Sequence, residues 1–145
     1  MANILKRKRK VDAMYNWKHH FKKEQTQFFT NILNNLIIQP DYIEHTEHRF
    51  DLNKNMLHLI YADNNGLFGW SEDDSQLDCY IGLDGRLYVT FEYIEFDKDD
   101  YKFRSLLKTY ENDCVNNLNT ILEHGHEMKK YMINIGNLNR YGGCI

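Results

Sequence analysis

Histidine, cysteine and carboxylate side chains are the first candidates for chemistry in this chain of 145 residues, which carries seven histidines, three cysteines and 21 acidic residues. His45 and His48 stand three apart in a segment that reads as extended, and side chains three apart on a strand point to opposite faces. His124 and His126 stand two apart in a helical stretch, roughly 200° around the axis. His19 and His20 are adjacent and diverge in the same way. None of these pairs suits chelation of one ion, and no HExxH run occurs, so no metal site is expected.

Nucleophiles fare no better. Cys79 falls on the apolar face of a predicted strand and Cys114 on the apolar stripe of a predicted helix, which reads as two inert core thiols. No CxxC pair, phosphate loop, GxSxG elbow or kinase signature is present, and no cofactor is expected. Glu92, Glu95, Asp97, Asp99 and Asp100 would suit a magnesium-dependent nuclease, but neither glutamate is followed by a lysine at E-x-K spacing. The simpler reading is a strand end followed by a helix N-terminus. The chain is therefore not expected to be an enzyme, and the residues that remain informative are charged and aromatic.

Charge is divided sharply along the chain. Residues 1–23 carry a net +7, residues 41–100 a net −11 and residues 101–145 a net +2, within an overall −3. Lys6, Arg7, Lys8, Arg9 and Lys10 form a basic run, followed by Lys18, Lys22 and Lys23. This set suits phosphates or an acidic protein surface. Trp17, His19, His20 and Phe21 add rings that would stack on bases. The run also resembles a nuclear localisation signal, and its alternative is a solvated tail that aids solubility or folds over the chain's own acidic middle. In the acidic middle, Glu72, Asp73 and Asp74 follow Phe68 and Trp70, pairing aromatic anchors with negative charge as a contact for a basic partner would. The competing reading buries Leu67, Phe68 and Trp70 and leaves the acids solvated.

The elements that must carry these residues follow from periodicity. Met14, Trp17, Phe21, Phe28, Ile32 and Leu36 recur at helical spacing, predicting an N-terminal helix over residues 11–39 that Pro40 ends. Residues 41–96 read as a four-stranded antiparallel β-meander, with strands over 42–52, 56–62, 76–82 and 86–96. Between the last two, a two-residue loop would place the apolar rows on opposite sheet faces. A three-residue loop, Leu83-Asp84-Gly85, instead sets Ile81 opposite Leu87, Cys79 opposite Val89 and Leu77 opposite Phe91, and it requires positive φ at Gly85. The acids at 97–100 then open a long C-terminal helix through Phe103, Leu106, Leu107, Tyr110, Cys114, Leu118, Ile121 and Leu122. The fold class is α+β: a basic flexible arm at 1–10 and a single domain over 11–145.

No stretch is apolar enough to span a membrane, and the basic start is not followed by the apolar region of a signal peptide. With three cysteines, an odd and sparse set, this points to a reducing compartment: the cytoplasm of a host cell, or its nucleus for a eukaryotic virus. The abundance of Asn and Tyr, 16 and 10 residues, is common in phage and viral proteins. In charge order and architecture, with Lys6 to Lys10 ahead of a helix, a sheet and a second helix, the chain resembles small phage anti-CRISPR inhibitors of RNA-guided nucleases. That resemblance implies a non-enzymatic inhibitor that binds a protein or ribonucleoprotein and blocks a nucleic-acid channel. The alternatives are a viral nucleic-acid-binding protein with a nuclear signal and, third, a small metal-dependent nuclease.

Overall fold

A computed structural model describes residues 17–47, 54–62, 75–97, 100–128, 130–131 and 139–142. The expected α+β class is observed, but the elements differ from the expected set. Strands β1 (Tyr42–Thr46), β2 (Met56–Ala62), β3 (Ser75–Gly82), β4 (Leu87–Asp97) and β5 (Asp100–Tyr110) form an antiparallel sheet in chain order, and a short β6 (Asn139–Gly142) pairs with the outer edge of β5. Two helices, α1 (Lys23–Asn34) and α2 (Cys114–Glu123), accompany it, with 3-10 turns at Trp17–His20 and Gly125–Glu127.

The β3–β4 hairpin is the one the alternation requires. Leu77 pairs with Phe91, Cys79 with Val89 and Ile81 with Leu87. Gly85 has φ 87°, a conformation that costs glycine little and other residues more. The Gly85 N–H donates to the Gly82 carbonyl at 3.0 Å, and Asp84 Oδ1 accepts the Arg86 N–H at 3.1 Å. Along the sheet, the register places Ile43, Leu59, Cys79 and Val89 in one row and Tyr61, Leu77, Phe91 and Leu106 in another, on the same face. Phe29, Ile32 and Leu33 of α1 and Cys114, Leu118 and Ile121 of α2 join these residues in one buried cluster. Both helices thus cover this face.

Three expectations are corrected. The N-terminal helix does not run unbroken: Lys22 is extended (φ −69°, ψ 163°), and α1 begins only at Lys23. The Lys22 N–H donates to Gln25 Oε1 at 2.9 Å, satisfying a donor at the helix start. The break brings the Trp17 ring to 6.2 Å from Phe29 and the Phe21 ring to 4.9 Å. Along a continuous helix Trp17 and Phe29 would be separated by about 18 Å. At the other end α1 stops at Asn34, well before Pro40, where the Asn35 side chain turns back to donate to the Asn31 carbonyl at 2.7 Å.

The second correction is to the strand count, four expected. The third is to the long C-terminal helix, since residues 100–110 are strand β5 and α2 spans only Cys114–Glu123. Asp97 pairs with Asp100, so only residues 98–99 connect β4 to β5. Acidic residues favour chain reversals as much as helix starts, and here Asp97 ends one strand and Asp100 begins the next. The helix begins instead after Asp113, whose φ of 56° breaks the chain direction out of β5.

Candidate functional site

The basic side of the molecule is built by the turn Trp17–His20 and the start of α1. Lys18, Lys22 and Lys23 are exposed, as are His19 and His20. The turn lies against β1: the His20 ring stacks on His45 at 4.1 Å with the planes 2° apart, and Phe21 meets His45 edge-on at 5.4 Å. Trp17, expected among the contacts, is 2% exposed and belongs to the core, with Phe21 packed against that core. Their rings cannot stack on a base without unpacking. What this segment presents is positive charge on a rigid support, and that favours contact with anions over reading of bases.

Lysines at the start of a helix face its positive pole, an unfavourable placement for the helix itself, which Glu24 in the first turn offsets in part. The expected contacts Lys6, Arg7, Lys8, Arg9 and Lys10, and the aromatic–acidic group Phe68, Trp70, Glu72, Asp73 and Asp74, lie outside the described residues.

The candidate nucleophiles are placed as expected. Cys79 and Cys114 are free and buried. Burial pushes the Cys114 thiol up to about 12 and that of Cys79 well above its ordinary value of 9.0, so neither supplies thiolate at neutral pH. Of the candidate magnesium ligands, Glu92 is half-buried on the sheet, and Asp97 and Asp100 flank the β4–β5 connection. Among the described residues no group of three His, Cys, Asp or Glu side chains is arranged to hold a metal ion. His45 lies on β1 and His48 outside the described residues; His124 stacks on Tyr131 at 4.2 Å.

A polar network occupies the sheet face opposite the helices. Asp78 is 3% exposed. Its Oδ1 lies 2.7 Å from His58 Nε2, and the Gln76 amide donates to both of its carboxylate oxygens at 3.1 Å. Because a carboxylate only accepts, Nε2 of His58 carries the proton in this pair. Nδ1 of the same ring stands 3.6 Å from Glu44 Oε2, and the Tyr80 ring stacks on it at 4.2 Å. Thr90 is the cross-strand partner of Asp78, and Ser105 lies on the next strand. Their hydroxyls are buried with no hydrogen-bond partner among the described residues.

This His–carboxylate pair can hold and orient a proton, and among the described residues no thiol lies on its side of the sheet, since Cys79 and Cys114 belong to the helix-covered core. Sequence reasoning placed Asp78 and Tyr80 together, opposite Cys79, but did not anticipate that this second face is buried. The signal was His58, a titratable residue amid the apolar run of β2. No helix among the described residues is long and apolar enough to cross a membrane. No protein-family model, curated protein or solved structure matches this chain.

Proposed function

We propose that the chain is a binding protein that engages an anionic, nucleic-acid-containing assembly through its basic N-terminal side. The observation that carries this reading is the grouping of exposed Lys18, Lys22 and Lys23 at the foot of α1. They continue the basic run of residues 6–10. Lys22 and Lys23 work against the helix they open, so binding accounts for their placement better than stability does. With Trp17 and Phe21 committed to the core, the interaction is electrostatic and directed at phosphates. In the reading we favour, the target is an RNA-guided nuclease with its guide, inhibited by occupying the channel that holds nucleic acid.

The test is capture of partners from a bacterial lysate with and without nuclease treatment, alongside titration of duplex DNA over a range of salt. A partner retained after nuclease treatment and released by salt supports the inhibitor reading. Salt-sensitive binding to naked DNA alone turns it toward a viral nucleic-acid-binding protein. Removal of residues 1–10 flattens the slope of log affinity against log salt by roughly 4–5 if all five basic residues contact duplex phosphates. Divalent-ion-dependent cleavage of the DNA, or binding indifferent to salt, overturns the proposal.

A further inference from the structure

A cleft of about 440 Å³ opens at the end of the sheet where Lys54 and Asn55 lead into β2 and the Gly82–Arg86 hairpin joins β3 to β4. Its wall is apolar: the buried Met56, the half-buried Tyr88 ring and Leu83, one of two large apolar side chains exposed among the described residues. Its polar groups are unevenly committed. The Asp84 carboxylate is turned toward Arg86, with Oδ1 accepting the Arg86 N–H at 3.1 Å and Oδ2 3.8 Å from Nε. Tyr88 stands beside the same guanidinium and, with Asp84, holds its pKa above the ordinary arginine value.

Asn55 is held by His45. An amide oxygen only accepts, so His45 Nε2–H donates to Asn55 Oδ1 at 2.8 Å, and the Asn55 NH2 group has no acceptor among the described residues. The Lys54 ammonium is exposed and forms no ion pair among the described residues. The one acidic side chain on the wall is thus compensated, while among the described residues a cation and an amide donor stand open beside an aromatic ring.

We propose that this cleft is a binding site for a small aromatic anion of nucleoside-monophosphate size, its ring against Tyr88 and Leu83 and its phosphate at Lys54 and Asn55. The volume lies within the range of small-molecule sites, which combine an apolar wall with a few convergent polar groups. This site is separate from the lysines of the 3-10 turn and α1, and the assignment does not depend on what those lysines bind.

The test is calorimetric titration of the full chain with adenosine 5′-monophosphate, adenosine and inorganic phosphate. The monophosphate binds saturably, and adenosine and phosphate each bind at least about fivefold more weakly, the scale of one exposed charge contact. In Lys54→Gln the affinity for the monophosphate falls to that for adenosine while adenosine is unaffected. Leu83→Asp weakens both, with an unchanged circular dichroism spectrum showing that the fold is kept. The triple variant Lys18→Glu/Lys22→Glu/Lys23→Glu binds the monophosphate as the parent does. Absence of saturable binding, equal affinity for adenosine or for phosphate, indifference to Lys54→Gln or Leu83→Asp, or loss in the triple variant overturns the assignment.

Discussion

His58 Nε2 stands 2.7 Å from Asp78 Oδ1, and the two residues come from neighbouring strands. The carboxylate also accepts from Gln76, so removing it strands two donors in a buried place. Asp78→Ala is expected to cost about 2–3 kcal/mol, read as a lower urea midpoint, because bonds to a buried charge are worth more than neutral ones. His58→Ala should cost less, since Asp78 keeps Gln76. A double-mutant cycle across the pair should return a coupling of at least about 0.5 kcal/mol; a cycle that closes to zero would show the contact to be inert.

Thr90 makes the opposite prediction. Its hydroxyl is buried without a partner among the described residues, and so is that of Ser105. Thr90→Val keeps the shape and removes the unsatisfied group. It should raise stability by about 1 kcal/mol, the lower part of the range for an unmade hydrogen bond. The melting temperature reports this, and a fall would mean that the hydroxyl is satisfied in solution by bound water.

The thiols make the protein sensitive to alkali. Cys79 and Cys114 have folded pKa values above their ordinary 9.0. The unfolded chain therefore ionises first, and their contribution to stability is intact below pH 9 and lost as pH rises above it. At pH 10 the loss is roughly 1.4 kcal/mol for each thiol. Cys79→Ala/Cys114→Ala should be less stable at pH 7, from lost packing, yet fall less between pH 8 and 10. In the parent, Ellman's reagent should leave both thiols unmodified in native buffer and react with both in guanidinium. Rapid native labelling of Cys79 would contradict the burial.

The lysines at the start of α1 should separate stability from binding. Lys22→Glu and Lys23→Glu place negative charge at the positive pole of the helix, which should stabilise the fold by about 0.3–1 kcal/mol each. The same changes should weaken retention of an anionic partner. Variants whose stability and binding move together would show that these lysines act through folding alone.

How far the chain could be read in advance depends on how cleanly each segment alternates. The β3–β4 hairpin was legible because Leu77, Cys79 and Ile81 and then Leu87, Val89 and Phe91 alternate without interruption, and only one loop length aligns them. β5 was not. Its helix-covered face carries Arg104, Leu106, Lys108 and Tyr110 in turn, charged residues alternating with apolar ones, while Leu107 sits on the other side of the sheet. Two charges on the inner face and a Leu-Leu doublet reproduce helical spacing in a strand. Lys18, Lys22 and Lys23 were found from charge alone, but the burial of Trp17 was not, because it depends on a chain break that no glycine or proline marks. The cleft at Lys54 and Leu83 had no signature, being assembled from two separate connections of the sheet.

The sheet's order also bears on how the chain reaches this structure. The first five strands each pair with the next one along the chain, with no other strand between neighbours in the sheet order. Loop-closure entropy is small for such pairings, so the sheet can grow by successive hairpins, a route open to rapid folding. The distant contact is the clasp between the helices: Asn119 accepts the Ile37 N–H and donates to the Asn35 carbonyl, both at 2.9 Å, across more than 80 residues of chain. It cannot form until the meander has brought α2 back over the sheet. Seating the two helices is therefore the step that carries the entropic cost of distance, and changes at Asn119 should act on the speed of unfolding more than on that of folding.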